Sequence, residues 1–408
     1  MRAFFISFAG LLFLVSAQAQ KKNFTYRFYG FVRGDLFYNS RANMAPVDGN
    51  FYLFPLDKAP DADGNDLNAT ANGSFYTFTT RLGVDITGPD LGKARTSLKV
   101  ETDFGGFSGS TTMLRLRQAY INLDWGTSAL LVGQTWHPLF GSVCPDVLNL
   151  STGAPFQPFN RSPQIRYQYT REKFRLTASA LWQLQYLSSG PAGMSEAYIK
   201  NSCVPELYAG ADYTPGDGWL AGAGVHLISL KPRTVSETDG RIYKVNERMT
   251  ALSYEAHLKY TGANYTLAAK SLIASSLDHT ALLGGYGISS VDAATGEQSY
   301  TPFRHSTTWF NFTYGKTWKP SFFAGYTKNM GTAKALVPGS PVYGQGLNID
   351  QLFTLNVNLS YNLPHWQLGV EYSPATAWYG SIEPASGRVR DTHSVTNHRI
   401  LALVMYYF

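Results

Sequence analysis

Apolar and polar residues alternate one for one along much of the chain, the period of a strand whose two faces meet different surroundings. Between positions 350 and 362, Phe353, Leu355, Val357, Leu359 and Tyr361 share one face, and Thr354, Asn356, Asn358 and Ser360 share the other. The next segment sets Trp366, Leu368, Val370 and Tyr372 against Gln367, Gly369, Glu371 and Ser373. Only Leu363 and Pro364 intervene, so the two segments read as a hairpin. In 250–261 and 95–104 the charged residues keep to one face, with Glu255 and Lys259 in the first and Arg95, Lys99, Glu101 and Asp103 in the second.

The pattern predicts sixteen strands, at about 24–38, 74–87, 94–104, 113–125, 128–136, 163–170, 173–186, 204–214, 219–231, 248–261, 264–275, 304–316, 319–328, 350–362, 365–375 and 396–408. The connections alternate between long and short. Gly126-Thr127, Arg171-Glu172, Pro215–Gly218 and Gly262-Ala263 are tight turns, whereas 39–73, 137–162, 187–203, 232–247, 276–303, 329–349 and 376–395 are long. A soluble β-sandwich has no reason to alternate in this way. A transmembrane antiparallel barrel does, with short periplasmic turns on one rim and long extracellular loops on the other. Backbone groups inside a bilayer must pair with one another, so a spanning sheet has to close.

Composition agrees with an all-β membrane barrel. Aromatic residues reach 14%, with Tyr 26 and Phe 25, while charged residues stay at 15%. Arg2, the apolar run from Phe4 to Val15 and Ala17-Gln18-Ala19 read as a signal peptide over 1–19, leaving 20–408 as a single barrel domain. No later stretch is apolar for the roughly 18 residues that a membrane helix needs. The last strand, Ile400 to Phe408, is apolar with a terminal aromatic residue, as in the closing strand of bacterial outer-membrane barrels.

Two stretches, Leu114-Arg115-Leu116-Arg117-Gln118-Ala119-Tyr120-Ile121-Asn122-Leu123 and Leu131-Val132-Gly133-Gln134-Thr135-Trp136-His137-Pro138-Leu139-Phe140, carry a sharper likeness. Together they resemble a strand pair of the DcaP-like trimeric outer-membrane porins, a type found also in Bacteroidetes. The resemblance implies a homotrimer in outer-membrane lipid that lets small hydrophilic solutes diffuse passively. It also implies that the loop at about 137–162, with His137, Asp146 and Arg161, folds inward and narrows the pore. Some members have a helical N-terminal extension, which this chain lacks room for before its first strand.

The inner faces are expected to carry Arg33, Arg81, Arg95, Lys99, Arg166, Arg175 and Lys259 against Glu101, Asp103 and Glu255. In a regular strand Arg115 and Arg117 would share a face with Ala119, Ile121 and Leu123, toward lipid. An Arg there costs about 2–4 kcal/mol at the midplane, so a rim, subunit-contact or bulged lumenal position is expected instead, with the lumenal one, beside the inward loop, preferred. Rings of cationic side chains favour anions, and the net charge of +6 leans the same way. Modest anion preference is the expectation, and an unselective pore the alternative.

Cys144 and Cys203 are the sole cysteines, and the even count on one rim favours a disulfide over two free thiols. Asp57, Asp61, Asp63, Asn65 and Asp66 make the first long loop acidic. Counting from Asp61, however, Asp66 and Asn72 stand where a calcium loop needs Gly and Glu, so an ordinary solvated loop is expected. The eight histidines show no metal spacing, and neither a metal nor any other cofactor is expected. Competing functions are a substrate-specific channel or a surface ligand-binding barrel using loops such as 276–303. A barrel hydrolase lacks any recognisable nucleophile motif, and cations interleaved with anions argue against nucleic acid.

Overall fold

The computed structural model describes residues 24–46, 50–105 and 113–408; the expected signal peptide lies outside them. The chain forms a closed antiparallel barrel of sixteen strands. We number them β1 Thr25–Asn39, β2 Arg81–Thr87, β3 Arg95–Asp103, β4 Arg115–Asp124, β5 Ser128–Trp136, β6 Arg161–Arg171, β7 Phe174–Leu181 and β8 Glu206–Gly216. The remainder are β9 Trp219–Leu230, β10 Met249–Thr261, β11 Tyr265–Ser275, β12 Gln298–Tyr314, β13 Trp318–Thr332, β14 Ile349–Asn362, β15 Trp366–Ile382 and β16 Val389–Tyr407. Each strand pairs with the next, and β16 returns to β1 in the register Phe31↔Tyr407 through Asn39↔Arg399. Closure removes the sheet edges, which satisfies the backbone without helices.

The two faces of the wall separate as the alternation requires. On β14, Phe353, Val357 and Leu359 point out and are exposed, while Thr354, Asn356, Asn358 and Ser360 point in and are buried. Where the outer face meets the short-turn rim, aromatic rings pair across strands. Trp219 and Tyr260 lie 4.7 Å apart, Trp318 and Tyr361 4.7 Å, Trp366 and Tyr406 4.8 Å, and Phe174 and Tyr213 4.8 Å. Amphipathic rings in a belt at this height are the mark of a membrane–water boundary.

All sixteen expected strands are present, but several run further toward the long-loop rim. β12 starts at Gln298, β13 reaches Thr332, β15 reaches Ile382 and β16 starts at Val389. The expected 74–87 strand is broken: Asn72–Tyr76 pairs with the end of β1, β2 with its beginning, and Thr77–Thr80 bulges between them. The expected 173–186 strand ends at Leu181. The 276–303 segment is not an open loop, because Gly284–Val291 pairs with the start of β12 and with Val342–Gln345. A short helix, α1 Ala197–Ser202, precedes β8.

Candidate functional site: the lumen and its inward loop

Part of the interior is occupied by chain. The segment between β5 and β6 leaves the wall at His137, crosses the lumen, and returns at Asn160, whose carbonyl accepts from His137 N at 2.9 Å. At its far point Asp146 N donates to Asn311 Oδ1 at 3.0 Å, and Asp146 O accepts from Ser321 Oγ at 2.8 Å and Asn358 Nδ2 at 3.2 Å. The Asp146 carboxylate pairs with Lys319. Leu148 N donates to Glu371 at 2.7 Å, and Leu148 O accepts from Arg33 at 2.7 Å. Lys270 holds the near side through the carbonyls of Leu139 and Phe140, at 2.8 and 2.9 Å. Strands β1 and β11 to β15 all supply anchors.

Apolar packing fixes the same segment. Phe140, Val143, Phe156 and Phe159 form a cluster with Trp309, Phe323 and Leu352 of the wall. Trp136 stacks on Phe140 with centroids 3.9 Å apart. Arg161 begins β6, so it belongs to the strand and not to the loop assigned at 137–162. Its guanidinium lies 4.7 Å from the Trp136 ring and donates to Tyr186 at 2.6 Å.

The first long loop also enters the barrel, a feature read from sequence as a solvated acidic stretch. Phe51, Tyr52, Leu53 and Phe54 are buried, and Pro55 O accepts from Tyr379 at 2.7 Å. The Asp carboxylates spend themselves locally: Asp61 on Asn65, Asp66 on Arg41, and Asp57 on His393. The sequence signal was available in the apolar run Phe51 to Phe54, which an ordinary surface loop would not carry.

The charged inner wall is an interlocked lattice. A β-bulge between β3 and β4 pairs Glu101 with Gln118 but Thr102 with Leu116, leaving Arg117 as the extra residue. That slip turns Arg117 and Arg115 onto the carboxylate face. Arg117 reaches Glu101 at 2.8 Å and Asp103 at 2.7 Å, and Arg115 reaches Asp103 at 2.7 Å. Arg33 pairs with Asp35 at 2.7 Å, Lys99 with Asp85 at 2.5 Å, and Arg81 with Glu101 at 3.8 Å. On the opposite arc Arg175 pairs with Asp212 at 2.5 Å, and His257 bridges Asp212 and Glu255 at 3.0 Å each. Arg95 sits at the turn rim against Asp124 and is largely solvated.

Among the described residues, two of the cavities lie beside the inward loop. One, of about 520 Å³, is lined by Lys259, Lys316, Lys319, Asp146 and Cys144 among others. The second, of about 310 Å³, is lined by Arg166, Arg175, Asp212, His257, Trp136 and His137 among others. Arg166 donates to Trp136 O at 2.5 Å and to Gln164 at 3.0 Å. Among the described residues no carboxylate lies within ion-pair distance of Arg166 or Lys259.

The expected disulfide is corrected. Cys144 and Cys203 are both free. Cys144 faces the Phe140 and Gly141 carbonyls inside the inward loop, where burial pushes its thiol up to about 11. Cys203 is exposed at the C-terminal end of α1, in left-handed backbone, with its thiol on Lys200 O. The even count carried no geometric information. The histidines, which show no metal spacing in sequence, do converge: His137, His226 and His279 surround Glu206, all four buried.

Comparison with known proteins places this architecture. The model of the family described as DcaP outer membrane protein matches residues 15–181. Among solved structures, the outer membrane channel DcaP of Acinetobacter baumannii is 20% identical, with TM-score 0.69, covering 95% of this chain and 99% of that one. OmpT of Vibrio cholerae in its trimer form is 14% identical with TM-score 0.56, covering 95% of this chain and 100% of that one. OmpF of Salmonella typhi, in complex with daunomycin, is 11% identical with TM-score 0.51, covering 94% and 97%. No curated protein sequence matches the chain. The sixteen-stranded closed barrel, with its aromatic belt and polar inner wall, thus has the fold of outer-membrane channels of this kind, and over residues 15–181 the chain is similar to the family described as DcaP outer membrane protein.

Proposed function

We propose that this porin passes small hydrophilic solutes through the space left between the inward loop and the wall, with modest preference for anions. One observation carries the preference: cations outnumber carboxylates in both cavities. Lys259, Lys316 and Lys319 face Asp146 alone in the first, and Arg166 and Arg175 face Asp212 in the second. A narrow passage with low-dielectric walls focuses such an excess along its axis. The paired lattice of Arg33, Arg81, Arg115, Arg117 and Lys99 with Asp35, Asp85, Glu101 and Asp103 is largely buried and nearly neutral, so it contributes little net field. The inward loop sets the width, and the neighbours are channels, in keeping with transport and not catalysis.

A homotrimer in outer-membrane lipid follows the same line, since the Vibrio relative is described in a trimer form. Light scattering of the detergent-solubilised protein tests it, with a monomer as the contrary result. Selectivity is tested by the zero-current potential of single channels across a KCl gradient. The sign of chloride preference is expected, and Lys259→Glu combined with Arg166→Glu should reverse it; cation preference in the unsubstituted protein would overturn the proposal.

A further inference from the structure

Four buried side chains meet where the inward loop is attached. His137 is the first residue of that loop, Glu206 the first of β8, His226 lies on β9, and His279 lies in the single 3-10 turn Asp278–Thr280 that follows β11. The sheet register explains half of the arrangement: His226 stands opposite Tyr208, so Glu206 is its diagonal neighbour on the same inner face. The other half comes from the two non-strand segments. His279 O accepts from Asn160 Nδ2 at 2.9 Å, and Thr280 O accepts from Phe159 N at 2.7 Å. Both ends of the inward loop therefore converge on this cluster.

We propose that His137, His226, His279 and Glu206 form a closed four-ligand site for a divalent transition metal, Zn²⁺ by its donor set, that staples both ends of the inward loop to the barrel wall. The Nε2 atoms of the three imidazoles lie 3.4, 3.0 and 3.1 Å from Glu206 Oε2. Bonds of about 2.0–2.1 Å to a tetrahedral ion imply ligand-to-ligand edges of about 3.3–3.4 Å, so the three edges from Glu206 are close to those of a zinc site, and binding would adjust the imidazoles by small side-chain movements. All four donor atoms fall within 4.8 Å of one another. The rings radiate from the carboxylate with centroids 5.2, 6.3 and 6.2 Å apart, leaving the centre to the nitrogens. Three imidazoles and one carboxylate suit Zn²⁺ and its neighbours in the first transition row; Ca²⁺ and Mg²⁺ require oxygen shells.

Hydrogen bonding without a metal accounts for the cluster less well. It directs three N–H donors onto one carboxylate oxygen, which offers two lone pairs. Gln183 already occupies the other oxygen of Glu206 at 2.7 Å. Within the site His137 is the weakest ligand. Leu139 N donates to its Nδ1 at 3.1 Å, a bond that fits a proton on Nε2. Ligation through Nε2 moves that proton to Nδ1 and opens the contact with Leu139. The Nδ1 atoms of His226 and His279 meet no protein partner, so the affinity should fall about 10- to 100-fold below that of a fully supported site.

The test is metal uptake by the untagged, detergent-solubilised protein, stripped with EDTA and dialysed against Zn²⁺. About one equivalent per chain is expected. Co²⁺ in its place should give the intense visible absorption of a four-coordinate ion. The double variant His226→Gln/His279→Gln, confirmed as folded by heat-dependent migration on a gel, should lose both signals, whereas His137→Ala should only weaken binding. Stoichiometric uptake that survives in the folded double variant, or a wild type that takes up no Zn²⁺, overturns the site. If the double variant does not fold, the wild-type stoichiometry and Co²⁺ spectrum decide between the same two outcomes. Uptake is read without a transport assay, so its failure leaves the pore reading intact.

Discussion

Residues on the inner wall differ sharply in what their charges are worth. Arg117 is fully buried between Glu101 and Asp103, so Arg117→Ala removes a charge-assisted bond from each of two buried carboxylates, which keep Arg81 and Arg115, and should destabilise the barrel by about 3 kcal/mol. Arg95, largely solvated at the rim, should cost less than about 0.5 kcal/mol when replaced by Ala. Urea unfolding in micelles, followed by tryptophan fluorescence, separates the two. Equal effects would mean that the lattice at the bulge is as hydrated as the rim. The cysteines supply a second contrast. Cys203 is exposed, whereas Cys144 is half-buried and lines the first cavity, with its thiol pushed up to about 11 by the surrounding chain. Maleimide without reductant should label Cys203 at once and Cys144 more slowly; a protein that takes no label until reduced would restore the disulfide.

At the level of strands and loops, the alternation was a sufficient guide wherever one face meets hydrocarbon. The outward set Phe353, Leu355, Val357, Leu359 and Tyr361 is what a period of two selects. Val357→Arg near mid-wall should therefore cost about 2–4 kcal/mol in the same unfolding assay, and the inward Asn358→Asp much less. Matching costs would contradict the assignment of faces. Beyond the bilayer the constraint lapses, which is why β12, β13, β15 and β16 run past the expected ends and why Gly284–Val291 was read as loop. The cost of an outward Arg left a rim, a subunit contact or a lumenal bulge open for Arg115 and Arg117, and only the fold shows that the bulge, with its partner shift, is the one adopted. The cluster of His137, Glu206, His226 and His279 gave no sequence signal, because its members come from four separate segments that only the closed wall and the folded-in loop bring together.

Over the whole molecule, two folded-in segments, 137–160 and the stretch that buries Phe51 to Phe54, fill part of a sixteen-stranded cylinder, and the proposed passage is the space left beside them. The inward course of 137–160 was implied by resemblance to a family, and its anchors on β1 and β11 to β15 are visible only in three dimensions. The loop is held by hydrogen bonds, an ion pair and aromatic packing at once, so it is a fixed partition of the lumen. Its removal should change the pore more than any single charge does. The most direct measurement is single-channel conductance of the wild type against a variant in which residues 142–155 are replaced by a short Gly-Ser linker. Conductance several-fold higher in the variant, with weakened anion preference, is the expected result. An unchanged conductance and selectivity would contradict the account, because the space beside the loop would then not be the path of the solute.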